Sequence, residues 1–135
     1  MSVYFGSPLQ TKLGNSHFFP YTQSSYLTTT TTNCNTCRTK YFNQNASATA
    51  EVTLDSTSLR IAGMGQRIGP LVKDFVCLEP TYLSDLCASD VEFLSIQKTL
   101  QQSSMDDGIF GLAPRDANSG PPYIEAMFKQ GKLDH

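Results

Sequence analysis

The sequence has no apolar run that approaches the roughly 20 residues a helix needs to cross a bilayer. Charged residues make up 16% of the chain and hydrophobic residues 39%, proportions that are typical of globular proteins and exclude disordered and membrane-spanning classes. The net charge is −2 and the Lys and Arg residues are scattered, so no basic stripe is present to neutralise phosphates. We therefore expect a soluble protein that binds neither membranes nor nucleic acids.

The chain also lacks the length for a second domain. Its 135 residues are enough for one domain with a real core, since a chain of this size buries roughly two-thirds of its unfolded surface. No charged segment followed by an apolar stretch and a cleavage site precedes the first apolar strand. We expect a single domain over residues 1–135, from which a leader and propeptide have been removed or which is part of a longer protein.

The four cysteines fall into two local pairs, Cys34 with Cys37 and Cys77 with Cys87, which favours two disulfides in an oxidising compartment. A zinc site of four thiolates is an alternative, but it requires a second close pair, and nine residues separate the later two cysteines. A redox role for the first pair is the other alternative, although no βαβ context accompanies it. The sequence predicts no metal and no cofactor.

Short strands and turns dominate the pattern. Alternation with period two predicts β-strands at residues 50–54, 58–61 and 71–76, with a further strand at 91–96. An apolar strand at residues 2–5 is predicted to form a hairpin with the extended residues 18–19. The sequence therefore predicts an all-β fold.

Three segments do not follow this pattern. Residues 28–39 are Thr, Asn and Cys with almost nothing apolar, which predicts a loop. Residues 98–104 are compatible with a short helix or a loop. Residues 121–130 predict the one helix, because Pro122 stands near its first position and Gly131 just beyond its end. The polar segment between residues 43 and 50 contains a glycosylation sequon, Asn45-Ala46-Ser47.

Four motifs carry a family resemblance in a fixed order: residues 3–10, residues 18–27, residues 61–76 and residues 107–113. The last of them, Asp-Gly-Ile-Phe-Gly-Leu-Ala, is the most specific. Together they resemble the N-terminal lobe of the pepsin-like aspartic endopeptidases, peptidase family A1, over nearly the whole chain. The resemblance implies a pepsin-like lobe of closed, orthogonally packed sheets with one short C-terminal helix. It also implies that the partner of this lobe is a similar C-terminal lobe that these residues do not include.

The resemblance assigns three site segments. The active-site loop would comprise Tyr21, Thr22, Gln23, Ser24 and Ser25. The flap that covers the substrate would comprise Ala62, Gly63, Met64 and Gly65. The strand that threads behind the active-site loop and holds it would comprise Asp107, Gly108, Ile109, Phe110 and Gly111.

Tyr21 occupies the position where the family carries its catalytic aspartate. The family's mechanism uses one aspartate from each lobe, and the two share a proton across a bound water. A tyrosine phenol has a reference pKa of about 10, so it stays protonated at neutral and acidic pH and cannot take a proton from that water. Its ring would also crowd the place of the nucleophilic water. The sequence therefore predicts no catalytic residue at this position.

Three other departures point the same way. Gln23 replaces the family's glycine, where the backbone turns tightly. Ala62 replaces the flap tyrosine, and Thr28 replaces the tryptophan to which that tyrosine hydrogen-bonds. Loss of both partners of one interaction indicates that flap closure over a substrate is no longer required.

No other acid is expected to restore the site. Asp106 and Asp107 belong to the threading strand, where the family's aspartate is structural. The remaining aspartates are expected in turns or at strand ends, in solvated or capping roles: Asp55, Asp74, Asp85, Asp90 and Asp116.

These observations lead to three hypotheses about function. The first is a pepsin-like protein without catalytic activity, whose cleft binds a peptide or protein. The second is an active aspartic endopeptidase that carries out proteolysis in acid, and the third is a vestigial fragment with a structural role only. By resemblance, and from its cysteine pairs, the protein is expected in the secretory pathway, outside the cell or in the lysosome or vacuole.

Overall fold

The computed structural model describes residues 3–10, 18–21, 27–37, 41–61, 65–79, 86–100, 108–111 and 130. Within these ranges the chain forms eight β-strands and one turn of 3₁₀ helix at Gln44–Ala46. The strands are β1 (Tyr4–Phe5), β2 (Phe18–Tyr21), β3 (Leu27–Thr30), β4 (Glu51–Ile61), β5 (Gly65–Cys77), β6 (Cys87–Ile96), β7 (Lys98–Leu100) and β8 (Gly108–Gly111). The prediction of an all-β fold is confirmed. The predicted helix at residues 121–130 lies outside the described residues apart from Gln130.

All eight strands belong to one hydrogen-bonded sheet, in the order β1-β5-β6-β3-β8-β2. The long strand β5 connects most of it, because β1, β4, β6 and β7 all pair with β5 in antiparallel register. Two contacts are parallel, β3 with β6 and β2 with β8. Strands that are close in sequence are therefore often apart in the sheet.

Two details of the strand prediction are corrected. Strands β1 and β2 do not form the predicted hairpin, since β1 pairs with β5 and β2 pairs with β8. Residues 50–54 and 58–61 are not separate strands, because β4 runs through both without a break. Two register shifts in its pairing with β5, between Val52 and Leu54 and between Leu54 and Thr57, explain why the alternation in the sequence is interrupted there. Residues 98–100, left between helix and loop by the sequence, form β7.

The threonine run is also a strand and not a loop. Strand β3 is buried along its whole length, although three of its four residues are threonine. Threonine is β-branched and favours extended backbone, and the hydroxyls here have partners. The Thr30 hydroxyl accepts a hydrogen bond from the Tyr41 amide at 3.2 Å, and that of Thr31, just after the strand, donates to the Ile96 carbonyl at 2.7 Å. Burying these polar groups therefore leaves no unpaired hydroxyl at either position.

Phe5 lies at the centre of the main hydrophobic cluster. Its ring centroid is 4.7 Å from that of Phe93, 5.6 Å from that of Phe18 and 5.7 Å from that of Phe42. All four side chains are buried. Each buried phenylalanine contributes about 1.5–3 kcal/mol by the hydrophobic effect, and tilted ring pairs add about 0.5–1.5 kcal/mol. This cluster joins β1, β2 and β6 to the segment before the 3₁₀ helix.

A second cluster lies on the other side of β6. Successive side chains of a strand point to opposite faces, so Phe93 packs into the first cluster and Leu94 into the second. Ile96 and the two cysteines of the residue 34–37 loop complete the second cluster. The residues at the end of β6 are therefore buried on both faces.

Both cysteine pairs form disulfides, Cys34 with Cys37 and Cys77 with Cys87, as the sequence predicts. Cys77 and Cys87 are directly opposite each other in the β5–β6 ladder. Because all four sulfurs are in disulfides, the zinc site of four thiolates is excluded. Disulfides form and persist in oxidising environments, so the two pairs indicate such an environment for this protein.

Asp74 is a buried anchor rather than a solvated or capping residue, so the expectation for this aspartate is wrong. It lies within β5, and its carboxylate accepts hydrogen bonds from the Ser47 hydroxyl at 2.6 Å, the Thr49 hydroxyl at 2.5 Å and the Phe75 amide at 2.7 Å. These bonds hold the segment after the 3₁₀ helix against the sheet. The burial of this charge is compensated because three donors converge on it.

We predict that Asp74→Asn lowers the free energy of unfolding by about 1–3 kcal/mol, because the amide replaces one acceptor oxygen with a donor that faces donors. Urea denaturation followed by fluorescence measures the change. Asp55→Asn is the matched control, since Asp55 is exposed on β4, and we expect a change within about 0.5 kcal/mol. Equal midpoints for the two variants would contradict the anchoring role.

Candidate functional site

Strand β8 lies between β2 and β3, which are neighbours in sequence but not in the sheet. It runs parallel to β2, with Phe18 opposite Gly108 and Tyr21 opposite Gly111. It runs antiparallel to β3, with Leu27 opposite Phe110. The two ends of the segment at residues 22–26 are therefore fixed on opposite sides of β8, near its C-terminal end.

Gly108 allows β3 and β8 to approach this closely. A Cβ atom at this position would overlap the Thr28 carbonyl oxygen and would lie 2.6 Å from the Phe18 ring. The Thr28 hydroxyl also accepts a hydrogen bond from the Ile109 amide at 3.0 Å. Glycine on one strand and threonine on the other thus fix the position of β8 relative to β3.

Tyr21 is the last residue of β2, at the edge of the sheet where β8 also ends. Of the five residues assigned to the active-site loop, Tyr21 alone is described, and Thr22, Gln23, Ser24 and Ser25 lie outside the described residues. All of the assigned threading strand except Asp107 is described as β8. The backbone of β2, β3 and β8 thus forms a frame that includes Tyr21, where the resemblance predicts the catalytic aspartate.

The hairpin of β4 and β5 contains the segment assigned to the flap. Of that segment, Gly65 is described and Ala62, Gly63 and Met64 are not. Gly65 pairs with Ile61 and has φ of +78°, a left-handed conformation that glycine adopts without strain. On the side of β5 away from β4, β7 pairs with residues 66–68, which directly follow the turn of the hairpin.

The frame contains no carboxylate on its described strands, since β2, β3 and β8 have no Asp or Glu. Asp107 is itself outside the described residues. The next residue, Gly108, pairs with Phe18, which is three residues from Tyr21 and therefore about 10 Å away along the strand. Asp74 is on β5, four strands from β2 in the order of the sheet. The described strands of the frame therefore carry no carboxylate near Tyr21 in the sheet.

The arrangement of Thr28 was not apparent from the sequence. Its side chain is fully buried, and its hydroxyl is used within the sheet by Ile109. Sequence reasoning assigned this position only by comparison with the family's tryptophan. The β-branched character of residues 28–31 is the signal that could have indicated a strand beside the site.

Within the described ranges no group of three or more His, Cys, Asp or Glu side chains could hold a metal ion. No helix in the same part of the chain is long and apolar enough to cross a membrane.

We predict that Gly108→Ala lowers the free energy of unfolding by at least about 2 kcal/mol, because the added methyl group meets a backbone carbonyl that cannot rotate away. Chemical denaturation of the purified variant measures this loss. Phe18→Leu in the same chain removes the ring contact but leaves the carbonyl, so we expect no rescue. A stable Gly108→Ala variant, or full rescue by Phe18→Leu, would show that β8 is not held as described.

No protein-family model matches this chain, and no curated protein is similar to it by sequence comparison.

Proposed function

We propose that this chain is a pepsin-like aspartic protease lobe that has lost catalytic activity and binds an extended peptide in its cleft. The observation that carries the proposal is the tyrosine at the end of β2, in the position where the resemblance expects the catalytic aspartate. Support for the lobe itself comes from β8, whose Gly-Ile-Phe-Gly sequence lies between the two strands that flank the proposed active-site loop.

The chemistry of the frame supports the loss of activity. Acid proteolysis requires a carboxylate that activates water while a second carboxylate supplies the proton. A phenol, with an ordinary pKa of about 10, is neutral in acid and has no proton-accepting capacity there. Since β2, β3 and β8 provide no acid in its place, this lobe lacks its half of the catalytic pair.

The β4–β5 hairpin supports the retention of binding. Peptides bind to protein clefts in extended conformation through main-chain hydrogen bonds, and these do not depend on a pair of carboxylates. Within the described strands β4 pairs only with β5, so its other edge has main-chain groups that no described strand uses. The first six residues of β4 are exposed, and Val52 and Leu54 are exposed by 42% and 48%. A peptide that adds to such an edge would find both hydrogen-bonding groups and apolar contacts.

The cellular setting that we propose follows from the disulfides. Two disulfides indicate an oxidising environment. We propose the secretory pathway, with the protein outside the cell or in a lysosome or vacuole. A C-terminal lobe is proposed as a second partner, because the family's cleft lies between two lobes.

We predict that the purified chain binds a statine-containing peptide of the pepstatin type and its deoxy analogue with equal affinity. The statine hydroxyl mimics the tetrahedral intermediate, and a working pair of aspartates prefers such an analogue by about 100-fold or more. Without a carboxylate this preference has no source. Fluorescence anisotropy with both labelled peptides at acidic and neutral pH measures the ratio of dissociation constants.

Three outcomes separate the hypotheses. Equal binding of both peptides, without cleavage of denatured protein in acid, supports the inactive binder. A strong preference for the hydroxyl together with acid cleavage indicates an active endopeptidase. Absence of both binding and cleavage indicates a vestigial lobe.

We predict that Tyr21→Asp alone does not create proteolysis. The variant restores one carboxylate, but Gln23 still replaces a glycine, and Ala62 and Thr28 still replace the residues that close the flap. Hydrolysis of a quenched fluorescent peptide over pH 2 to 6 measures the activity, with Tyr21→Phe as the matched control that removes only the hydroxyl. Acid-dependent cleavage by Tyr21→Asp, absent from Tyr21→Phe, would overturn this expectation.

A further inference from the structure

The segment between residues 43 and 50 forms an exposed projection with firmly held ends. At one end the Gln10 side chain donates to the Asn43 carbonyl and accepts from the Asn43 amide, both at 2.7 Å. At the other end the Ala48 amide donates to the Ser7 carbonyl at 2.9 Å. Asn45 lies at the exposed tip of this projection, in the 3₁₀ helix. The backbone of the tip is thus held on both sides while its outer surface is open.

The Asn45 side chain takes no part in holding this projection. The backbone amide of Asn45 donates to the Asn43 side chain at 3.2 Å. Within the described part of the chain the Asn45 side-chain amide has no hydrogen-bond partner, and the residue is exposed. A bulky group attached there would meet solvent and would displace nothing in the described fold.

Asn45-Ala46-Ser47 is the only Asn-x-Ser/Thr sequence in the chain. Such a sequence is the acceptor for N-linked oligosaccharide in proteins that enter the secretory route, and both disulfides indicate an oxidising environment. We propose that Asn45 carries an N-linked glycan, added before the segment folds against the sheet. This inference does not depend on the function proposed for the cleft.

The transfer is a substitution without oxidation or reduction. The Asn45 side-chain nitrogen attacks the anomeric carbon of an oligosaccharide carried on a polyprenyl diphosphate. The bond from that carbon to the diphosphate oxygen breaks as the carbon–nitrogen bond forms. The diphosphate leaves with the bonding electron pair, and the amide proton passes to a base of the transferase.

The order of events follows from Ser47, whose hydroxyl the transferase must recognise in the acceptor sequence. In the folded chain that hydroxyl donates to Asp74 at 2.6 Å and accepts from the Ser7 amide at 3.0 Å. It is therefore engaged on both sides once the projection has docked. The transferase must therefore bind the Ser47 hydroxyl before that hydroxyl donates to Asp74.

The first experiment is translation of the full chain, behind a signal peptide, in the presence of microsomes from the endoplasmic reticulum. We expect one stepwise increase in mass on a gel, which an N-glycan endoglycosidase reverses. Asn45→Gln and Ser47→Ala should abolish the increase, and Ser47→Thr should retain it. Asn43→Gln is the matched control, because it changes the neighbouring asparagine outside the acceptor sequence. An unmodified wild-type chain, or an increase that persists in Asn45→Gln, would overturn the proposal.

The second experiment tests the order of events with detergent-solubilised transferase and its lipid-linked oligosaccharide. The unmodified chain is supplied either folded or reduced and unfolded, and the products are quantified by mass spectrometry of the peptide that contains Asn45. We expect at least a tenfold higher yield from the unfolded chain. Equal yields would show that docking of Ser47 does not block the enzyme, and the proposed order would be wrong.

Urea denaturation distinguishes a residue that only carries the glycan from a residue that stabilises the fold. Asn45→Gln should unfold at the same urea concentration as the unmodified wild type, because the Asn45 side chain makes no described contact. Ser47→Ala should unfold at a lower concentration, because Asp74 loses one donor. If Asn45→Gln were as unstable as Ser47→Ala, Asn45 would be a structural residue, and the proposal that it is a free attachment point would fail.

Discussion

The insertion of β8 between β2 and β3 is the constraint on which the site depends. It requires a residue without a side chain at Gly108, since the Thr28 carbonyl leaves no space there for a Cβ atom. It also requires apolar side chains that hold the strand in place, and Ile109 and Phe110 are both buried. Once β8 is inserted, Tyr21 and Leu27 are fixed on either side of it. The two residues that flank the proposed active-site loop are therefore held by a strand more than 80 residues later in the chain.

Loops in this protein are held by side chains that act as substitutes for backbone partners. The Gln10 amide pairs with Asn43 as a neighbouring strand would, through one donated and one accepted hydrogen bond. The Tyr41 hydroxyl donates towards the Val3 and Gln10 carbonyls, and Asp74 accepts from Ser47 and Thr49. Gln130 bonds in the same way to both backbone groups of Ser89. Such bonds satisfy buried or half-buried backbone groups where the sheet ladder ends.

The described strands also show which contacts hold β2 in the sheet. The described contacts that position β2 are the pairing of its backbone with β8 and the packing of the Phe18 ring against Phe5. Stability of the described fold depends on the aromatic cluster, the two disulfides and the hydrogen bonds of Asp74.

Local pattern was enough to predict several features of this protein. Alternating residues in β4 and β5 and the apolar residues of β6 indicated strands, because a strand with one buried face imposes a period of two. The even, locally paired cysteines predicted both disulfides. The assignment of Tyr21 to the place of a catalytic aspartate came from the order of motifs alone, and it stays a prediction.

Tertiary structure decided the features that depend on distant partners. The sequence predicted a loop at residues 28–39 because threonine is polar, yet the hydroxyls of Thr28, Thr30 and Thr31 are buried against partners 11 to 81 residues away. It predicted a hairpin of β1 and β2, which instead pair with β5 and β8, far along the chain. It assigned Asp74 to the surface, whereas three donors stabilise it inside. By itself the sequence determined the β class, most of the long strands and the two disulfides. The pairing of the strands and the burial of their polar residues were decided by the tertiary structure. Hydrogen bonds between distant segments produce no periodic pattern in the sequence that could predict them.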